Sequence, residues 1–183
     1  GAALDWDQLP TRVEAVIAER INRVPDHWQA LLDAACVQGD EFTDEVVAEA
    51  IGLETAAVTQ ALGGELNRRY QLVTATRLER LGAKRLMHYR FRHNLFEKYL
   101  YQRLDEVRRA QLHEAIGSAL EKQYTDRPTD LQVIAPQLAR QFEAAGLALK
   151  AADYWRLAGQ RAVRLAAYPE ATTLLTHGLR LLN

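Results

Sequence analysis

Arg90, Arg92 and His93 are the side chains best placed to do chemistry in this sequence, because they fall where its hydrophobic period changes. Up to Phe91 the pattern alternates, with Met87, Tyr89 and Phe91 on one side and His88, Arg90 and Arg92 on the other, as in a strand with one buried face. From Leu95 the apolar positions Leu95, Phe96, Tyr99, Leu100 and Leu104 recur at helical spacing. His93 therefore sits at a strand-to-helix hinge. A helix start presents unpaired N–H groups that favour an anion, and positions 77–109 hold ten bases against four acids, a net +6 around the hinge. That charge faces a nucleotide, an acidic partner domain or water.

Other chemistry is missing from the sequence. There is no glycine-rich phosphate loop, no His-x-x-x-His or cysteine pair for a metal, and no serine or cysteine beside a credible base. Asp44-Glu45 and Asp105-Glu106 read as solvated carboxylates near helix starts. His27, His113 and His177 read as isolated, partly exposed helix residues, and Cys36, the single cysteine, as a buried thiol on an apolar stripe with Leu32 and Ala35. The chain is expected not to be an enzyme. Its 183 residues are 48% hydrophobic with a net charge of −1, enough for a core and without a global pull toward nucleic acid or anionic membrane. Apolar runs fall short of the roughly 20 residues that span a bilayer and no signal peptide is visible, so the expected location is the cytoplasm. Gly1-Ala2 reads as a cloning remnant, which would make the chain an excised piece of a longer protein.

The elements that position the hinge follow from apolar spacing and from turn residues. Val13, Val16, Ile17, Ile21 and Val24 predict a first helix ending before Pro25, and Leu31, Leu32, Ala35 and Cys36 a second ending at Gly39. A short helix carries Val46, Val47, Ala50 and Ile51 up to Gly52, and a fourth spans about 55–69 with Gly63 and Gly64 in its middle. Strands at 71–76 and 86–91 then form a two-stranded wing with its tip at Gly82-Ala83. This is the layout of a winged helix-turn-helix. One long helix, bent near Asp105, continues with Val107, Leu112, Ile116 and Leu120 to Tyr124. The polar segment 125–130 marks the domain boundary, giving a winged-helix domain with its connector helix over 1–124 and a helical array over 125–183. In that array, helices near 131–145, 147–166 and 169–182 are joined so tightly that neighbours must be antiparallel. Trp155, Ala158, Gly159, Ala162, Tyr168, Ala171, Leu175 and Gly178 fall at the offsets of a tetratricopeptide repeat. Gly159, Ala171 and Gly178 would let two helices approach, with Trp155, Tyr168 and Leu175 filling the space around them. The fold class expected is mainly α.

A winged helix can read DNA, but positions 40–69 carry seven acids against two bases, a net −5 and the wrong sign for a polyanion. The sequence from Tyr89 to Leu104, with Phe91-Arg-His-Asn-Leu-Phe96 in it, then Arg108-Arg-Ala-Gln-Leu-His-Glu-Ala-Ile-Gly-Ser-Ala-Leu-Glu121, Gln137-Leu-Ala-Arg-Gln-Phe-Glu-Ala-Ala-Gly146 and Ala151-Ala-Asp-Tyr-Trp-Arg-Leu-Ala-Gly-Gln-Arg-Ala162, resembles a family. It is similar to the region after the nucleotide-binding core in bacterial signal-transducing ATPases with numerous domains (STAND ATPases), including MalT-like and LuxR-type regulators and cyclase-fused ATPases. The likeness runs from about Leu9 to Leu182. It implies a winged helix, connector and first repeats without the ATPase core: no cofactor on this chain, ADP or ATP on the parent, an upstream ATPase domain as partner in cis, and a protein or small-molecule inducer on the repeats. It also implies that His93, with Arg90 and Arg92 near, senses the β-phosphate of bound ADP; the acidic residue that often follows is Asn94 here. The rival readings are a DNA-binding winged-helix regulator and a plain protein-interaction scaffold.

Overall fold

The structure, a computed structural model, describes residues 11–82 and 84–182. Gly1-Ala2, the start of the resemblance at Leu9 and the Ala83 half of the expected wing tip lie outside the described residues. The described part is mainly helical, with nine α-helices and one small three-stranded antiparallel sheet. Its contacts group into two units, one ending at Asp105 and one beginning at Glu106. Helix Glu106–Tyr124, expected as the connector of the first domain, groups with the helices that follow it.

In the first unit α1 (Thr11–Asn22), α2 (Asp26–Gln38), α3 (Asp44–Ile51), α4 (Thr55–Gly63) and α5 (Asn94–Arg103) surround strands β1 (Glu41–Thr43), β2 (Val73–Leu81) and β3 (Lys84–Phe91), in the sheet order β1-β3-β2. The expected two-stranded wing gains a third strand. Glu41, Phe42 and Thr43 pair with Arg90, Tyr89 and His88, and so short a segment carries too little periodicity to be seen in sequence. Phe42 is fully buried, its ring 5.3 Å from Phe91 and 6.1 Å from Tyr89. Ile17 and Ile21 bury the inner face of α1 and Val24 is buried just past its end, whereas Val16, expected on that stripe, is 58% exposed.

The fourth helix is shorter than the sequence suggests. Gly64 adopts φ −94°, ψ −99°, where an added Cβ would lie 2.6 Å from the Gln60 carbonyl oxygen, so α4 stops and a π-helical turn, Glu65–Arg69, follows. The Tyr70 N–H closes that turn on the Glu65 carbonyl. In β2 the register slips between Ala75 and Arg77, a bulge at Thr76 that sets Arg77 opposite His88. The outward face expected of His88 is thereby covered. His88 is only 8% exposed, with Nε2 2.8 Å from Glu79 and Nδ1 3.2 Å from Arg77. Because a guanidinium only donates, Nδ1 accepts and the ring N–H is given to Glu79. Arg77 also pairs with Glu41 and holds that carboxyl below its usual range.

Asp44, read as a solvated carboxylate, is 3% exposed. Its Oδ1 accepts from the N–H groups of Glu45 (2.9 Å) and Met87 (3.2 Å), and its Oδ2 lies 2.6 Å from the Thr59 hydroxyl. One side chain thus ties α3 to α4 and β3. Asp44→Ala should lower the free energy of unfolding by about 3 kcal/mol, since it strands two part-buried backbone donors and unties α3 from β3 and α4, and Asp44→Asn by about 1 kcal/mol, since the amide oxygen still accepts. Urea denaturation of both variants checks the order; equal losses would count against the buried carboxylate as the tie.

The second unit is four successive helices, α6 (Glu106–Tyr124), α7 (Pro128–Ala144), α8 (Ala148–Arg164) and α9 (Tyr168–Arg180), each packed on the one before. Pro128 sits at the first position of α7, where its missing N–H costs nothing. The two tight turns are alike: Leu147 N–H bonds the Phe142 carbonyl and Ala167 N–H the Ala162 carbonyl, with Gly146 (φ 76°) and Ala166 (φ 58°) in the left-handed region. Leu112, Ile116 and Leu120 are buried as expected, but Val107 is 68% exposed. At Gly117 an added Cβ would meet the ring of fully buried Phe142 at 2.9 Å. Gly117→Ala should therefore destabilise by about 1–3 kcal/mol through overpacking, despite the gain of about 1 kcal/mol in helix propensity. A raised melting temperature would show that the ring has room to yield.

Candidate functional site

β3 ends at Phe91 and α5 begins at Asn94, so His93 is the capping residue, with extended backbone (φ −137°, ψ 134°). Its side chain makes no cap hydrogen bond and is exposed, its ring resting 5.8 Å from that of Phe96. Phe96 is buried and fixes the helix start; the Arg20 guanidinium of α1 lies 5.2 Å over its ring. The imidazole is thus held at the surface at the start of a helix, against a ring that Arg20 also covers.

The two arginines of the expected trio have different positions. Arg90 is exposed on the outer face of β3, opposite Thr74 and Glu41. Arg92 turns to the π-helical turn, where Nη2 donates to Asn67 (2.8 Å) and Nε to the Val73 carbonyl (3.3 Å), while its backbone N–H bonds Leu72. Arg92 therefore locks the end of the sheet to the π-turn, and among the described residues no hydrogen bond joins it to the imidazole of His93. Cys36 is buried, donates to the Asp33 carbonyl at 3.1 Å, and has its thiol pushed far above the ordinary range by burial, with Asp33 and Glu97 adding to the rise. That makes it a poor nucleophile. Among the described residues no group of three or more His, Cys, Asp or Glu is placed to hold a metal, and no helix is long and apolar enough to cross a membrane.

In the second unit the small residues mark where α8 and α9 touch. A Cβ on Gly159 would fall 2.6 Å from Leu175, and one on Gly178 3.0 Å from the Trp155 Cβ. Ala171 is buried. Tyr168, expected to fill the space beside them, is 63% exposed, and Leu175 occupies the position against Gly159 instead. Trp155 has a polar role as well as a packing one: its indole N–H donates to Glu143 at 2.9 Å, and the same carboxylate accepts from His177 Nε2 at 2.9 Å. The Trp155 and His177 rings meet edge to face at 4.9 Å. Arg140, Glu143, Trp155, Leu174 and His177 line a pocket of about 520 Å³ in this unit. Sequence reasoning missed Glu143 because its partners lie 12 and 34 positions away, on separate helices.

His113, expected to be partly exposed, is 8% exposed, with Nδ1 2.7 Å from Gln141 Oε1. Burial pushes its pKa below the ordinary 6.5; the bond to Gln141 acts in the opposite sense, and the charge of Arg109 adds to the depression. The folded state thus binds this proton less readily than the unfolded chain, so stability is complete above about 6.5 and declines as pH falls below it. Across roughly pH 5 to 8, His113→Gln should flatten this decline in urea midpoint. Parallel profiles for wild type and variant would assign the dependence to other groups.

A scan against protein-family models and searches of curated proteins and of solved structures found no match to this chain.

Proposed function

We propose that the chain is a non-catalytic regulatory part of a signal-transducing ATPase. Its first unit would be a winged-helix domain that holds an adjacent ATPase domain in the ADP state, and its second a tetratricopeptide-like surface for an inducer or partner protein. The observation that carries this reading is His93: an exposed imidazole at a helix start, without a cap hydrogen bond, set against the buried Phe96 whose ring the Arg20 guanidinium covers. A side chain held outward in that way can donate to a phosphate on a neighbouring domain, where the helix N-terminus also favours negative charge. The order α2-β1-α3-α4-β2-β3 with sheet order β1-β3-β2 supports the winged-helix part of the proposal. The close approach of α8 and α9 at Gly159 and Gly178 supports the repeat part.

The mechanism is a two-state equilibrium. ADP bridged to His93 favours a closed form, with Arg90 adding positive potential and Arg92 positioning the helix start through Asn67 and Val73. An inducer on the helical repeats favours an open form in proportion to its differential affinity for the two. The test is ADP co-purifying with the longest natural protein that contains these residues, compared with its His93→Ala variant. Loosening of ADP by at least tenfold, about 1.4 kcal/mol, is expected. Unchanged retention would overturn the clamp and leave the scaffold reading; because His93 is exposed, loss of folding does not confuse the result.

A further inference from the structure

A cleft of about 590 Å³ in the first unit is lined by Arg20 of α1, by Arg23 just past its end, and by Arg69, Tyr70 and Gln71 at the end of the π-helical turn. The volume lies within the range of small-molecule sites, roughly 300–1,000 Å³. Among the described residues no carboxylate lines it. Its three guanidinium groups are weakly compensated. Arg20 donates to the Tyr70 carbonyl at 3.1 Å and covers Phe96, and Arg69 lies 5.3 Å over the Tyr70 ring. Among the described residues only Arg23 has a carboxylate, Glu19 one turn away, in a pair so exposed that solvent screens it.

The backbone at the cleft is irregular in two ways. A π-turn replaces the last turn of the α4 segment, and Gln71 adopts φ +52°, a left-handed conformation that non-glycine residues rarely take. Together they turn the chain so that Arg69 and Gln71 both face the cleft with α1 opposite. Such departures persist where the surroundings hold them, and they gather at ligand sites.

We infer that this cleft binds the phosphate groups of a small polyphosphorylated molecule, the class that includes inorganic pyrophosphate and nucleoside diphosphates. Several guanidinium forks around one concavity match phosphate oxygens in geometry and number, which a single carboxylate would not. Arg69 already covers the Tyr70 ring, so the phosphates rather than a stacked base supply the recognition. The inference goes beyond the clamp proposed above, since these arginines are not the hinge trio and His93 shares only the Phe96 ring with Arg20.

Calorimetric titration of the 183-residue chain with pyrophosphate, ADP and adenosine tests it directly. Pyrophosphate and ADP should bind and adenosine should not; comparable affinities assign recognition to the phosphates, and tighter ADP adds a contribution from the nucleoside. Arg69→Ala should weaken both by at least tenfold, and Arg23→Ala by a smaller factor. His93→Ala should leave binding within twofold, so that failure of the clamp and failure of the cleft are separate results. Arg69 is exposed with its guanidinium over the Tyr70 ring, so its removal leaves the fold intact, whereas Arg20→Ala removes the bond to the Tyr70 carbonyl. The inference is overturned by absence of pyrophosphate binding at about 1 mM, by binding that Arg69→Ala leaves unchanged, by loss on His93→Ala alone, or by an equal loss on Arg85→Ala, which would mark diffuse charge.

Discussion

A buried carboxylate at the start of α3 is the constraint on which the first unit depends. Asp44 is removed from water, so each of its oxygens must find donors within the protein, and it takes them from Glu45, Met87 and Thr59. Those donors belong to three different elements. Once they are fixed, β1 is drawn alongside β3, Phe42 is set against Tyr89 and Phe91, and the far end of β3 delivers His93 to the start of α5. The polar tie thus sets the register of an otherwise non-directional apolar core.

The second unit is governed by steric fit. Gly117 accepts the Phe142 ring, Gly159 accepts Leu175 and Gly178 accepts the body of Trp155. Where side chains shrink to hydrogen, helices approach more closely and a large neighbour fills the space. Glu143 then adds direction by gathering an indole and an imidazole from two other helices. Helix spacing and polar pairing meet at Trp155.

Four histidines show how surroundings decide what one residue type can do. His88 is buried in a charged network on the sheet, His113 is buried against an amide, and His177 is bound to a carboxylate. His93 alone among these four is exposed, at a helix start and without a cap hydrogen bond. The proposed role in sensing an anion rests on that contrast, and the arginine cleft of α1 and the π-turn adds a second cationic surface on the same unit.

Periodicity alone determined the mainly helical class, the strand-to-helix change at His93, the helices around Pro25, Gly39 and Gly52, and the close approach at Gly159 and Gly178. These are local: they follow from spacing of 2 or 3.6 and from residues that start or stop elements. The tertiary structure decided the third strand, the burial of Asp44, His88 and His113, the exposure of Val16, Val107 and Tyr168, and the division of Arg90 and Arg92 into surface and structural roles. It also brought Arg20 to Arg69 across 49 positions of sequence. Each of these depends on a partner far along the chain, and burial and charge pairing act between neighbours in space, which a one-dimensional pattern does not contain.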